Sequence, residues 1–260
     1  MLTVAASFSA QMRRIEGYAD LVLAVFELAK LPLTPLRGRQ ALTTAIGDAH
    51  AKARLIMLGD SLALEGAFLS ACAMFEETIR DMIEVCADRM AAIKTAYSDL
   101  PEKMRKAYLD GCGFILQSLD EDKFAHLTES AIIASLTSCY MTPTPPPPYS
   151  LVVEALSSHR NNLRADVLKD TVGKLGITDL WRKLGKETAL QTHFSTTNPE
   201  DATKFSRTRL DSNMSKRNAT IHRGISFVAP TGAEVKECAA FFDSLVKSLA
   251  NVLDAYVATL

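Results

Sequence analysis

Arg217, Asn218 and His222 lie close together in the chain, flanked by Lys216 and Arg223, with Arg209 a little upstream. An imidazole titrates near neutrality, so it can take the proton of a ribose 2′-hydroxyl or return one to a departing 5′-oxygen. A guanidinium offers a planar fork to a phosphate whose charge grows in the transition state. These residue types fit RNA cleavage without a metal or cofactor. In that chemistry His222 is the acid/base, Arg217 the phosphate clamp, and Asn218 orients the imidazole or binds a phosphate oxygen. Lys216, Arg209 and Arg223 would hold the RNA backbone. Two other readings meet the same residues: a solvated basic helix end, favoured by the helix dipole, and a non-catalytic helical module that binds RNA or a protein.

Spacing constrains how these side chains can meet. Asn198-Pro199-Glu200 supplies an N-cap, a proline at the first helical position and an acid in the first turn, predicting a helix that continues to His222 with Gly224 as its stop. On that helix Arg217 and His222, five apart, diverge by about 140°, whereas Asn218 and His222 share a face at i, i+4. Either the last turn unwinds near Gly224, or a second copy of the chain brings the missing groups to a shared cleft through a two-fold interface. Between Glu200 and Gly224 six basic residues face three acids, a local charge of +3 in a chain of net charge −1. The segment is therefore expected to attract anions locally, although the whole molecule is nearly neutral.

The remaining elements read as all-α. Apolar residues recur at helical spacing and sustained strict alternation is missing. A first helix is expected over 7–30, with Met12, Ile15, Tyr18, Val22, Val25 and Phe26 on its inner stripe, stopping before Pro32 and Pro35. The strongest is expected over 61–97, with a core stripe from Phe68 to Ile93. Shorter helices are expected over 101–117, 121–138 and 163–177, followed by one turn at DLWRKL that carries Trp181 as a packing anchor. Thr231 and Glu234 form a capping box for a final helix whose stripe, Val235 to Tyr256, runs to the C-terminus. The stretch 142–148, TPTPPPP, cannot be helical and reads as a stiff crossover within one domain of residues 1–260, with 1–54 as an N-terminal helical extension and 149–260 carrying the motif. Glu76, Glu77 and Arg80 could bring an acid to the cleft, but Glu76 and Arg80 are expected to form an ordinary exposed i, i+4 pair. HRNNLR, 159–164, is basic and a candidate for touching RNA.

Composition removes several classes. With 48% hydrophobic and 23% charged residues the chain resembles an ordinary globular protein. Five widely spaced cysteines without a CxxC pair predict buried, reduced thiols and no metal centre. His50, His126, His159 and His193 are scattered without ligand spacing. No signal peptide or membrane span is read, so a cytoplasmic protein is expected. Phosphate-binding glycine loops, GxSxG and HExxH do not occur.

RNATIHRG resembles the RxxxxH signature of HEPN domains, in the variant where a polar residue follows the arginine and a glycine comes soon after the histidine. ACAMFEETIRDMIEVCADRM, 71–90, is similar to the early long helix of the RiboL-PSP and MAE-like HEPN branch, and 163–184 resembles its middle segment. The resemblance spans residues 55–260 discontinuously. It implies a HEPN-like helical bundle with extra N-terminal helices, homodimerisation, and a composite ribonuclease site in which Arg217 and His222 are catalytic and Asn218 is accessory. It also implies a toxin or effector role in bacterial toxin–antitoxin or anti-phage systems, with an antitoxin or defence protein as partner. Gly224 stands where nucleotidyltransferase-controlled relatives carry tyrosine, so control by tyrosine nucleotidylation is not implied.

Overall fold

The computed structural model describes residues 1–30, 44, 46–52, 60–141, 149–158, 162–222 and 228–260. Its long helices are α1 (Leu2–Lys30), α2 (Asp60–Ile93), α3 (Glu102–Leu116), α4 (Glu129–Tyr140), α9 (Pro199–His222) and α10 (Gly232–Val257). The short helices α5 (Glu154–Ser157), α6 (Ala165–Gly173), α7 (Leu180–Leu184) and α8 (Thr188–His193) fall between α4 and α9. Among the described residues there is no strand, so the fold is all-α, a helical bundle.

α10 lies at the centre, against α1, α2 and α8. Its apolar residues fall on nearly every turn, and Val235, Cys238, Phe242, Leu245, Leu249 and Leu253 are all buried. Phe242 stacks on Phe75 of α2 with ring centroids 4.2 Å apart, joining the two helices that carry the largest core stripes. All five cysteines are buried free thiols, as expected. The expected capping box opens α10. Thr231 Oγ1 accepts from the Glu234 N–H at 3.2 Å, and Glu234 Oε2 accepts from the Thr231 N–H at 2.7 Å.

Three expectations need correction. The buried stripe of α1 is Ala5, Phe8, Met12, Ile15, Ala19, Val22 and Phe26, while Tyr18 faces outward and the helix begins at Leu2. Phe8 and Ala5 extend the i, i+3, i+4 series toward the N-terminus, and Tyr18 falls off it. In the 121–138 region a short 3-10 turn, Asp122–Phe124, comes first, and α4 begins only at Glu129, where Thr128 Oγ1 accepts from the Ala131 N–H. The expected 163–177 helix is confined to Ala165–Gly173, and Gly176, at φ +91°, makes the turn beyond it. Trp181 is the anchor expected of it: it is buried, and its indole N–H donates to the Ala165 carbonyl at 3.0 Å. Pro32, Pro35 and the proline stretch 142–148 lie outside the described residues.

Two contacts seat the elements beside the motif. The backbone of Ala155 in α5 lies directly on Gly111 of α3, where a Cβ would come within 2.0 Å of the Ala155 carbonyl oxygen. Tyr108 of α3 fixes the chain leading into α5, because its hydroxyl accepts from the Val152 N–H at 3.1 Å and bonds to Ser135 of α4.

Candidate active site

α9 is polar along most of its length, and it is seated by the buried Ala202, Leu210 and Met214 together with ion pairs to its neighbours. Asn198 Oδ1 accepts from the Glu200 N–H at 3.0 Å, the N-cap expected of it. The +3 excess of the segment is largely compensated by folding. Arg207 pairs with Asp166, Arg209 with Glu237, Lys216 with Glu234, and Arg217 with Glu76. A count along the sequence misses these acids because they come from α6, α10 and α2. Lys204 is the exposed cation of α9 left without a partner among the described residues.

Arg217 sits at the meeting point of α2, α9 and the segment before α6. Its Nη1 donates to Asn162 Oδ1 at 2.8 Å, and Asn162 Nδ2 donates in turn to Asn218 Oδ1 at 2.8 Å. Its Nη2 lies 3.6 Å from Glu76 Oε2, with the two side chains 23% and 14% exposed, so the guanidinium is partly shielded from water. Asn162 is placed by its neighbours: the Leu163 N–H donates to Glu76 Oε1 at 3.3 Å, the Ala165 N–H donates to Asp211 Oδ1 of α9 at 2.8 Å, and the Leu163 side chain is fully buried. The expected exposed Glu76–Arg80 pair is therefore replaced by Glu76–Arg217, since α9 packs on α2 at that turn.

Asn162 is the member of this cluster to which sequence reasoning gave no role of its own, and Glu76, read as able to bring an acid to the cleft but expected to pair with Arg80, meets Arg217 instead. The one available signal for Asn162 was the polar run at 159–164, of which 159–161 lie outside the described residues. Of the RNA-binding candidates, Lys216 is drawn to the α10 cap and Arg209 to Glu237, and Arg223 lies outside the described residues, as does Gly224. Burial opposes the charge of Glu234, yet hydrogen bonds from Lys216 and Thr231 overcome this and hold its carboxyl below the usual range.

α9 remains helical through His222, so the last described turn does not unwind. The His222 side chain is exposed and has no partner among the described residues. Arg217 faces α2 and Asn162, while His222, about 140° around the helix, does not. Within one chain the two side chains are not brought to one point.

A cleft of about 350 Å³ opens beside Glu76. Glu76, Arg80 and Glu84 line it from successive turns of α2, Phe124 and His126 from the turn before α4, and Glu154 and Ser157 from α5. His126 Nε2 and Glu154 Oε1 are 3.0 Å apart, and Ser157 Oγ donates to Glu84 Oε1 at 2.5 Å. Burial, with the nearby Glu154 and Asp81 charges, raises the Glu84 carboxyl above the usual range despite the Ser157 bond. Among the described residues no three His, Cys, Asp or Glu side chains converge as a metal-ligand set, and no helix is long and apolar enough to cross a membrane.

A family model described as RiboL-PSP-HEPN matches residues 59–255, and the chain belongs to that family. No curated protein and no solved structure matches the chain. α1 precedes the matched residues, although it packs on two helices inside them.

Proposed function

We propose that the protein is a metal-independent endoribonuclease acting as a homodimer inside the cell, a toxin or effector of a bacterial toxin–antitoxin or anti-phage system. Membership of a HEPN family supports a nuclease or RNA-related role. The observation that carries the reading is Arg217: a partly shielded guanidinium, held by Asn162 and by Glu76, which itself lines a cleft, with N–H groups left over for a phosphate. In the reaction His222 takes the 2′-hydroxyl proton and the 2′-oxygen attacks the phosphorus. The bond from phosphorus to the 5′-oxygen breaks, that oxygen leaves with a proton from a second imidazole, a 2′,3′-cyclic phosphate remains, and Arg217 neutralises the charge that accumulates on the phosphoryl oxygens. Because Arg217 and His222 diverge on α9, the second imidazole or guanidinium at each phosphate comes from the other copy. An antitoxin or defence protein would restrain the enzyme by covering this cleft.

The test is RNA cleavage by the purified protein in EDTA. Arg217→Ala and His222→Ala are expected to lower the rate by at least about a hundredfold, the usual contribution of a general acid/base, with unchanged helical circular dichroism and an unchanged dimer mass by light scattering. Variants as active as the wild type sink the assignment. RNA binding without cleavage by the wild type supports a non-catalytic binding module instead.

A further inference from the structure

The cleft beside Glu76, the partner of Arg217, is walled by side chains of both charges. Glu76, Arg80 and Glu84 follow one another at i, i+4 and i+8 along one face of α2, so the groups lining the cleft step away from Arg217 by roughly 6 Å per four residues. Two of the three carboxylates are already engaged, Glu76 with Arg217 and Glu154 with His126. Glu84 is not fully used: among the described residues Ser157 is its one hydrogen-bond donor, and it occupies Oε1, leaving Oε2 open. Arg80, one turn nearer to Arg217, has no hydrogen-bond or ion-pair partner among the described residues. A carboxylate oxygen without a donor and an exposed guanidinium without a hydrogen-bond partner among the described residues, whose charge also acts on Glu84, therefore line the same 350 Å³ space together with the buried Phe124, a space that suits a small ligand.

A phosphate in this space would meet the carboxylates, and a simple cation would meet Arg80. A flat neutral group that presents donors to Glu84 and acceptors to Arg80 satisfies both. Guanine does so: N1–H and the N2 amino group are adjacent donors that one carboxylate can take together, and O6 and N7 are the acceptor pair that arginine binds in a fork. Adenine and cytosine place an acceptor beside their amino group, which a carboxylate repels, and uracil has one N–H between two carbonyls. We propose that this cleft binds a guanine base next to the cleaved phosphodiester, with Glu84 and Arg80 as the residues that determine specificity. The placement beside the scissile bond rests on the ribonuclease reading; the pocket itself does not. The raised pKa of Glu84 is consistent with a half-buried carboxyl that gains from a ligand donor.

The experiment digests a randomised oligoribonucleotide pool with the purified protein in EDTA and sequences the product ends. Guanosine is expected to be enriched on one side of the cut. Substituting inosine, which lacks the N2 amino group, or 7-deazaguanosine, which lacks N7, at a preferred site should each slow cleavage there. Glu84→Gln and Arg80→Gln should lower the ratio of guanosine to non-guanosine cuts by about tenfold, the discrimination of one good base contact, read within a single reaction. Cuts without base preference, or a ratio unchanged in both variants and with inosine, overturn the proposal. If the wild type cleaves nothing, guanosine and adenosine 5′-monophosphates are titrated into it by calorimetry. Guanosine-selective binding lost in Glu84→Gln then upholds the pocket while the nuclease reading falls, and the absence of selective binding sinks the pocket as well.

Discussion

Arg217 gains its orientation from side chains far away in the sequence: Asn162 accepts from one nitrogen and Glu76 lies by the other. Such supports matter because a bidentate clamp works only if its fork is aimed before the phosphate charge develops. Asn162→Ala is therefore expected to cut the cleavage rate by about tenfold, close to the worth of one charge-assisted hydrogen bond. Glu76→Gln, which keeps the shape and the bond to Leu163 N–H but drops the charge, should cost less in rate and tighten RNA binding, because the guanidinium is then freer to attract phosphate. Steady-state rate and Michaelis constants measured separately check the two variants; equal effects on both would count against an orienting role. The trio Arg217, Asn218 and His222 was open to inspection in the sequence because its members are neighbours on one helix. The place of Asn162 and the pairing of Glu76 with Arg217 rather than Arg80 were not, since which acid reaches which arginine depends on how α9 packs on α2.

Helices announced themselves where periodicity and caps agreed. α10 carries a continuous apolar stripe and a capping box, and both α9 and α10 begin at their cap signals, because those signals act within one turn. The 121–138 stretch misled because it holds enough apolar residues for a helix, while the cap that starts α4 is Thr128 rather than any residue near 121. Tertiary contacts also decide features with no local signature. Gly111 looks like an ordinary helix-weakening residue, yet Ala155 rests on it. Gly111→Ala should cost about 1–3 kcal/mol of overpacking rather than gain helix propensity, and should perturb the cleft through α5, checked by chemical denaturation. His193 at the end of α8 is another case. Its side chain is 9% exposed, and Glu237 Oε1, which accepts from Arg209 at 2.7 Å, lies 3.3 Å from its Nε2. Burial lowers its pKa below 6.5, with Arg209 adding to the effect and Glu237 opposing it. The unfolded chain then takes up the proton first, so this contribution to stability is complete above pH 6.5 and is lost as pH falls through the lower folded value. Denaturation midpoints between pH 7.5 and 5 should fall more steeply for the wild type than for His193→Phe, and parallel slopes would refute the account.

At the scale of the whole molecule, α1 decides whether residues 59–255 can stand alone. The family match begins after it, and its residues looked like an extension without diagnostic content. Yet Phe8, Met12, Ile15, Ala19 and Val22 are buried against α2 and α10, Lys236 of α10 pairs with Asp20 at 2.8 Å, and Leu23 covers Gly232 where α10 begins. A helix that closes the core in this way was legible as amphipathic but not as indispensable, because periodicity shows that a face is buried without showing against what. The central position of α10 raises the stakes: losing α1 strips one flank of the helix against which α2, α7 and α8 also pack. Phe8, 1% exposed, should therefore behave as a core residue, and Phe8→Ala is expected to lower stability by about 3–5 kcal/mol. Tyr18→Ala, on the outer face of the same helix, should change it by less than about 0.5 kcal/mol. Removing residues 1–30 should leave a chain that binds hydrophobic dyes and lacks a cooperative thermal transition in calorimetry. A sharp transition near the wild-type temperature in that shortened chain would show that the matched residues close their own core, and that α1 is only laid upon it.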